Sequence, residues 1–204
     1  MSDATVIDSL ARLRAWCEAN GDARLVFDCM NPPADDAALA EAEERCGVPF
    51  PEDLKALYRF ANGQDENADA NEDGREVGLI PSSENGDLAH LLMPLDEVTA
   101  YEDPDMGVLP GWIHFATNYG GDVIACDMSD DSPRRGRVIH YVHEGCDVVR
   151  RADSVADLLA KLADDLDAGK VVFDEESGLT FTQENAIDLE AAHEAGELEN
   201  YLKE

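Results

Sequence analysis

The sequence predicts an α+β domain, with N-terminal helices packed on a mainly antiparallel sheet and a C-terminal helix. Apolar residues recur at helical spacing in the N-terminal part, whereas from Trp112 onward they lie in short β-rich runs separated by turns. The links between these runs are too short for a parallel crossover, so neighbouring strands should run antiparallel. The chain has 204 residues, of which 44% are apolar, and this is enough for one packed domain.

Three helices are predicted in the N-terminal part, over residues 4–20, about 35–45, and from Pro51 to the Asn62-Gly63 stop. In the first of these, Val6, Leu10 and Leu13 recur on one face. Gly21 and Gly47 follow the first two helices, where left-handed residues commonly end a helix.

The segments between the helices and the β-rich part are short or polar. Residues 25–27 and 77–80 are apolar and are predicted as strands, and Leu91 begins a short strand before a helical turn near Pro94. Residues 64–76 carry six acids, one arginine and no large apolar side chain. They predict a solvent-exposed acidic loop.

The C-terminal half contains the predicted sheet and its helix. Four strands are predicted over residues 112–117, 123–128, 137–143 and 147–151. Ser154 and Asp157 resemble a capping box before a helix that ends at Gly169. The apolar face of that helix consists of Val155, Leu158, Leu159, Leu162 and Leu166. A hairpin over residues 171–181 and a last acidic helix within residues 184–204 are predicted beyond it.

The charge of the chain restricts its partners. Fifteen Lys and Arg against 46 Asp and Glu give 15 − 46 = −31. Such a surface repels phosphate backbones and anionic membranes, so we expect neither a nucleic-acid nor a membrane partner. It favours a basic protein partner or a cation, although high solubility alone is a competing explanation.

The remaining composition predicts a cytoplasmic protein. The five cysteines form no CxxC pair, which is typical of a reducing compartment. No basic start with an apolar run is present at the N-terminus, and no stretch has the roughly 20 apolar residues that span a bilayer.

An ordered set of motifs spans the middle of the chain. Its first half reads Asn31-Pro32-Pro33, an acidic helix, Gly47-Val48-Pro49-Phe50-Pro51, an amphipathic helix and Asn62-Gly63. Its second half reads Trp112, then Phe115-Ala116-Thr117-Asn118-Tyr119-Gly120-Gly121-Asp122, then Asp127, two strands and the Ser154 helix. In order and spacing these motifs resemble the SUKH superfamily, which includes the Smi/Knr-type yeast cell-wall regulators and many bacterial immunity proteins.

The resemblance implies an α+β fold and a binding role rather than catalysis. It divides the chain into an N-terminal helical extension of the same domain at 1–30, a SUKH-like domain at 31–168 and an acidic C-terminal extension at 169–204. The 64–76 loop is longer than the resemblance leads us to expect.

Two groups of residues have the composition of metal sites. Asp69, Asn71, Asp73 and Gly74 match the first half of an EF-hand loop, but Ile80 occupies the twelfth position, where a bidentate glutamate belongs. His140, His143 and Cys146 are close in sequence, yet residues 140 and 143 point to opposite faces of a strand. We therefore predict no metal site, and the absence of nucleophile, phosphate-loop and dinucleotide motifs predicts no cofactor and no catalytic residues.

The function predicted from these observations is that of a non-enzymatic immunity-type protein that binds and neutralises a toxin. The resemblance implies a cognate toxin that is often a nuclease, whose basic surface an acidic inhibitor would complement. A Smi/Knr-like regulatory or scaffold protein without a toxin partner is the alternative, and an enzyme or calcium-responsive protein is the third. The candidate partner-binding residues are Asp65, Glu66, Asp69, Asp73, Trp112, Tyr119, Asp122, Asp127, Asp130 and Asp131.

Overall fold

The computed structural model describes residues 2–65, 67–68, 71–75, 77–84, 87–100, 110–130, 132–144, 147–188 and 191–192. Its helices are α1 (Ser2–Ala19), α2 (Leu25–Asp28), α3 (Asp36–Cys46), α4 (Glu52–Phe60) and α5 (Val155–Asp167). Its strands are β1 (Leu91–Leu92), β2 (Trp112–Thr117), β3 (Val123–Asp127), β4 (Val138–Val142), β5 (Asp147–Ala152), β6 (Val171–Asp174) and β7 (Gly178–Phe181). The predicted α+β class is confirmed.

The main sheet has the order β1-β2-β3-β4-β5, with every neighbouring pair antiparallel. This is the meander that the short links predict, extended at one edge by β1. Strands β6 and β7 form the predicted hairpin as a separate sheet.

The two faces of the main sheet bury different apolar clusters. Alternate residues such as Ile113 and Ile124 face the helices and join the large core, which includes Leu54 from α4 and Leu159 from α5. The other face carries a small cluster of Trp112, Ala125, Ile139, Tyr141 and Val148. The strands therefore read as nearly continuous apolar runs, because both faces of the sheet are covered.

Helix α1 shares the large core with the rest of the chain. Its Val6, Leu10 and Leu13 are buried in the same cluster as the apolar face of α5, and α1 packs against α4 and α5. At the surface, Arg12 forms ion pairs with Asp164 at 2.8 Å and Asp167 at 2.5 Å.

Side-chain caps fix where two helices begin. Asp35 Oδ1 accepts a hydrogen bond from the Ala38 amide at 2.8 Å, and Ser154 Oγ accepts one from the Asp157 amide at 3.1 Å. The start of α5 has a second acceptor, because Asp53 Oδ2 on α4 accepts from the Ala156 amide at 3.0 Å. This contact joins the beginnings of the two helices.

Two strand predictions are wrong. Residues 25–27 form the buried helix α2 after a 3₁₀ turn at Gly21–Arg24, since three apolar residues carry no period that separates helix from strand. Residues 77–80 make only one isolated bridge, between Ile80 and His90. Most of the predicted helix within 184–204 lies outside the described residues. None of the described helices is long and apolar enough to cross a membrane.

Candidate functional site

A groove of about 370 Å³ opens between the segment after α4, strand β1 and the β2–β3 turn. Asp65, Leu91, Met93, Pro94, Asn118 and Tyr119 are among the residues that line it. Tyr119 is 63% exposed, and Asp65 is exposed as well. The groove therefore combines an apolar floor, an exposed aromatic ring and a carboxylate.

One wall of the groove joins two motifs that are about thirty residues apart in the sequence. The Asn31 amide donates to the Gly63 carbonyl at 3.0 Å, and Asn31 Nδ2 donates to the Asn62 carbonyl at 3.1 Å. Asn62 Oδ1 accepts from the Leu95 amide at 2.9 Å. The Asn31 and Asn62-Gly63 motifs thus hold the chain after α4 against the segment that follows β1.

Gly63 is required by the close approach of two backbones in this wall. Its φ is +83°, and a Cβ atom here would lie 2.5 Å from the Pro94 nitrogen. A larger residue would have to push the Met93-Pro94 segment out of the groove wall.

Gln64 secures the beginning of the acidic loop beneath the groove. Its Nε2 donates to the carbonyls of Val26 at 2.9 Å and Val77 at 2.5 Å. Its Oε1 accepts from the amides of Leu79 at 3.1 Å and Leu92 at 3.0 Å. A buried side chain therefore anchors a segment that composition alone predicts to be fully exposed.

The opposite wall is the β2–β3 turn, which presents Tyr119. Asn118 Oδ1 accepts from the Asp122 amide at 3.0 Å, and the Thr117 hydroxyl donates to the Asp122 carbonyl at 3.0 Å. These bonds close the turn from inside. They leave Tyr119, in the middle of the turn, directed away from the core.

Among the described residues, the predicted partner-binding side chains do not form one surface. Asp65 and Tyr119 line the same groove, as described above. Asp73 lies elsewhere, 3.7 Å from Arg75, and Asp130 lies beside Arg135 at 3.4 Å, in a second groove that Val48 and Pro49 help to line. Glu66, Asp69 and Asp131 lie outside the described residues.

Trp112, Asp122 and Asp127 are inside the protein, which corrects their assignment to a surface. Trp112 is 0% exposed and fills the small cluster beneath the sheet. Asp127 is 1% exposed and accepts from the Ser129 amide at 3.1 Å and the Ser132 hydroxyl at 3.2 Å. Apolar residues enclose Trp112, and the turn after β3 binds the Asp127 carboxylate, so neither side chain is available to a partner.

In the loop with partial EF-hand character, Asn71 forms hydrogen bonds within the loop. Asn71 is buried, and its Oδ1 accepts from the Arg75 amide at 2.9 Å while its Nδ2 donates to the Arg75 carbonyl at 2.9 Å. The Asn71 oxygen is thus engaged within the loop. Asp69 lies outside the described residues.

His90, Asp122 and His140 form a buried cluster that the sequence does not reveal. One ligand atom from each lies within 4.8 Å of the others. Burial lowers the pKa of the His90 imidazole well below its usual value, and His140 and Arg151 lower it further. Burial raises the pKa of the Asp122 carboxyl, but His140, the His143 amide and Asn118 outweigh this effect and lower it to about 2.

The sequence signal for this cluster is weak. His90 and His140 are separated by about fifty residues, and each reads as an ordinary member of an apolar segment. The combination of His140 with His143 and Cys146 has no support in the structure, because His143 is exposed and Cys146 lies outside the described residues.

The fold and groove define an α+β domain in which helices cover one face of an antiparallel meander and a ligand-sized groove opens at its β1 edge. The chain belongs to the SMI1 / KNR4 family (SUKH-1), whose model matches residues 33–161. The predicted SUKH resemblance is thereby confirmed. Among curated proteins, none is significantly similar to the chain in sequence.

Proposed function

We propose that this protein is a non-enzymatic binding protein of the immunity type, which binds a basic protein toxin through the groove beside Tyr119. The observation that carries the proposal is a groove lined by both the exposed Tyr119 ring and the exposed Asp65 carboxylate. Membership of the SUKH-1 family supports a binding role over catalysis.

The groove has the chemistry of a protein-binding surface. Aromatic side chains that become buried on association contribute much of the energy of protein interfaces. Leu91 and Met93 supply an apolar floor on which a partner side chain can lose its water. Tyr119 adds a large ring that loses little conformational entropy on binding.

The charge of the chain favours a basic partner. Asp65 and Glu97 both line the groove, and the whole chain carries a net charge of −31. Such a field accelerates the approach of a cationic protein and disfavours acidic ones. A nuclease toxin, which holds phosphate with basic residues, has the complementary surface.

The test begins with the proteins encoded next to this gene. A neighbouring toxin should arrest growth when expressed alone, and co-expression of this protein should restore growth. The purified pair should form a stable complex, and Tyr119→Ala should abolish rescue. Ile7→Ala is the matched control, because Ile7 is an exposed apolar residue of α1 outside the groove.

Two results would contradict the proposal. Growth rescue that is equally strong with Tyr119→Ala and Ile7→Ala would show that the toxin does not bind at the groove. If no neighbouring protein is toxic and the protein instead captures endogenous regulatory proteins, the Smi/Knr-like regulatory function would replace the immunity function.

A further inference from the structure

Three polar side chains converge in the interior where the loop before β1, the β2–β3 turn and strand β4 meet. His90 and His140 are 0% exposed, and Asp122 is 7% exposed. The two imidazole rings are perpendicular, with centroids 4.7 Å apart, and His140 Nε2 lies 3.7 Å from Asp122 Oδ2. All three potential ligand atoms are within 4.8 Å of one another.

Three of the four imidazole nitrogens in this cluster are unpaired in the part of the chain that the structure describes. Within the described residues, neither ring nitrogen of His90 has a hydrogen-bond partner, and His140 Nε2 has none. The 3.7 Å between His140 Nε2 and Asp122 Oδ2 is too long for a hydrogen bond. Buried polar atoms are almost always paired, since an unpaired one has given up its hydrogen bonds to water without replacing them. These nitrogen atoms are therefore free to bind a ligand.

The neighbouring residues orient His140 as they would a metal ligand. Its Nδ1 lies 2.9 Å from Ser83 Oγ, which leaves Nε2 directed toward Asp122. Ser83 Oγ is in turn 3.2 Å from Arg151 Nη1, and Arg151 also donates to the Pro81 carbonyl at 3.0 Å. A fixed bond at one ring nitrogen is the usual way in which proteins orient a metal-binding histidine.

Asp122 is held in place by the turn around it. Its Oδ1 accepts from the His143 amide at 2.8 Å, and its Oδ2 is 3.3 Å from Asn118 Nδ2. These contacts keep the carboxylate in the cluster without neutralising its charge. Arg151 contacts the cluster through Ser83. Burial lowers the pKa of both His90 and His140, and the charge of Arg151 lowers it further.

We propose that His90, Asp122 and His140 form a binding site for a divalent transition-metal ion such as Zn²⁺. Two imidazole nitrogens and one carboxylate oxygen are a donor set that such ions prefer, and they leave a further coordination position for water. Bonds of about 2.0–2.1 Å place the ligand atoms of a tetrahedral zinc site about 3.3 Å apart. The 3.7 Å between Asp122 and His140 needs only a small contraction to reach this value.

The test is metal binding by the untagged wild-type protein after treatment with EDTA. Zn²⁺ titration by calorimetry and metal analysis after dialysis should give one ion per chain. Excess Mg²⁺ and high salt should not remove it, because hard cations prefer all-oxygen sites and salt screens the acidic surface. Co²⁺ should give the visible absorption of a site with nitrogen ligands, and the melting temperature should rise with added metal.

Variants locate the ion. His90→Gln and Asp122→Asn should each lower Zn²⁺ affinity at least about a hundredfold, and Ser83→Ala about 10–100-fold as a residue that positions His140. His114→Gln is the matched control, since His114 is also buried but belongs to the same face of β2 as Trp112. Its affinity should equal that of the wild type.

The Ser83→Ala variant retains all three ligands and so keeps the test informative if a ligand variant fails to fold. The site would be refuted by a folded wild-type protein that takes up no stoichiometric Zn²⁺ or Co²⁺. Binding that Mg²⁺ displaces, or that persists unchanged in His90→Gln and Ser83→Ala, would also refute it and assign the ions to surface carboxylates.

Discussion

Gln64 and Leu92 exchange two hydrogen bonds. The backbone amide of Gln64 donates to the Leu92 carbonyl at 2.8 Å, and the backbone amide of Leu92 donates to the side-chain oxygen Oε1 of Gln64 at 3.0 Å. The pair fastens the start of the acidic loop to the edge strand β1. Asp65 follows Gln64 directly, and Leu91 and Met93 flank Leu92, so this pair also fixes the position of the groove floor.

Replacement of Gln64 by alanine should destabilise the protein by about 2–4 kcal/mol, because it leaves four buried backbone groups without their partner. Chemical denaturation monitored by circular dichroism measures the change. Gln183→Ala, at an exposed glutamine, should cost less than about 0.5 kcal/mol. Equal stability of the two variants would contradict this role of Gln64.

Replacement of Asp53 by alanine should cost about 1–2 kcal/mol, because the Ala156 amide at the start of α5 loses its buried acceptor. Asp53→Asn keeps an acceptor oxygen and should cost less. Asp36→Ala, which removes an exposed ion pair with Arg59, should have an effect within about 1 kcal/mol. Hydrogen exchange at Ala156 should accelerate only in the Asp53 variants, and unchanged exchange there would disprove the cap.

The stability of the protein should fall as the pH drops from 6.5 toward 4, in part because of His114. Burial lowers the pKa of His114 from 6.5 to about 4, so the unfolded chain binds this proton first. The unfolding free energy is unaffected by this proton above pH 6.5. It falls by about 3 kcal/mol as the pH drops from 6.5 to the folded-state pKa. In His114→Gln the pH dependence of the unfolding free energy should be shallower than in the wild type. Parallel curves would exclude this contribution.

Charge and aromatic contact at the groove should affect different rate constants of partner binding. Asp65→Asn should slow association and flatten its dependence on salt, because exposed charges steer the encounter. Tyr119→Ala should instead accelerate dissociation by tenfold or more, as expected for an anchor. Stopped-flow kinetics across an ionic-strength series measures both, with Asp8→Asn and Ile7→Ala on α1 as controls. An association rate constant that does not depend on salt concentration would contradict this role of the charge and leave solubility as the explanation of the acidity.

The acidic loop should not bind Ca²⁺ tightly. Asn71 Oδ1 is engaged by the Arg75 amide, and Asp73 lies 3.7 Å from the Arg75 guanidinium. Calorimetric titration should therefore give no saturable binding at micromolar Ca²⁺. Ca²⁺ binding with a micromolar dissociation constant that is lost in Asp73→Ala would contradict this prediction and identify the loop as a calcium site.

The sequence by itself determined the local structure. Ser154 caps α5 as its capping-box pattern predicts, because a helix start is decided by atoms within one turn. Asp35, at the predicted start of α3, accepts the corresponding bond there. The four strands after Trp112 follow from turn residues and short links, which leave only an antiparallel order. Residues 25–27 are predicted as a strand but form part of helix α2, since a three-residue apolar run is equally compatible with helix and strand.

The tertiary structure alone decided which polar residues are buried and which of them meet. Gln64 reads as part of an exposed loop but is enclosed by four backbone groups. His90 and His140 come together only because the loop before β1 crosses strand β4. Trp112 reads as a surface anchor but fills the far face of the sheet. Each outcome depends on contacts between segments distant in the chain, and the periodicity of one segment carries no information about the segment that will cover it.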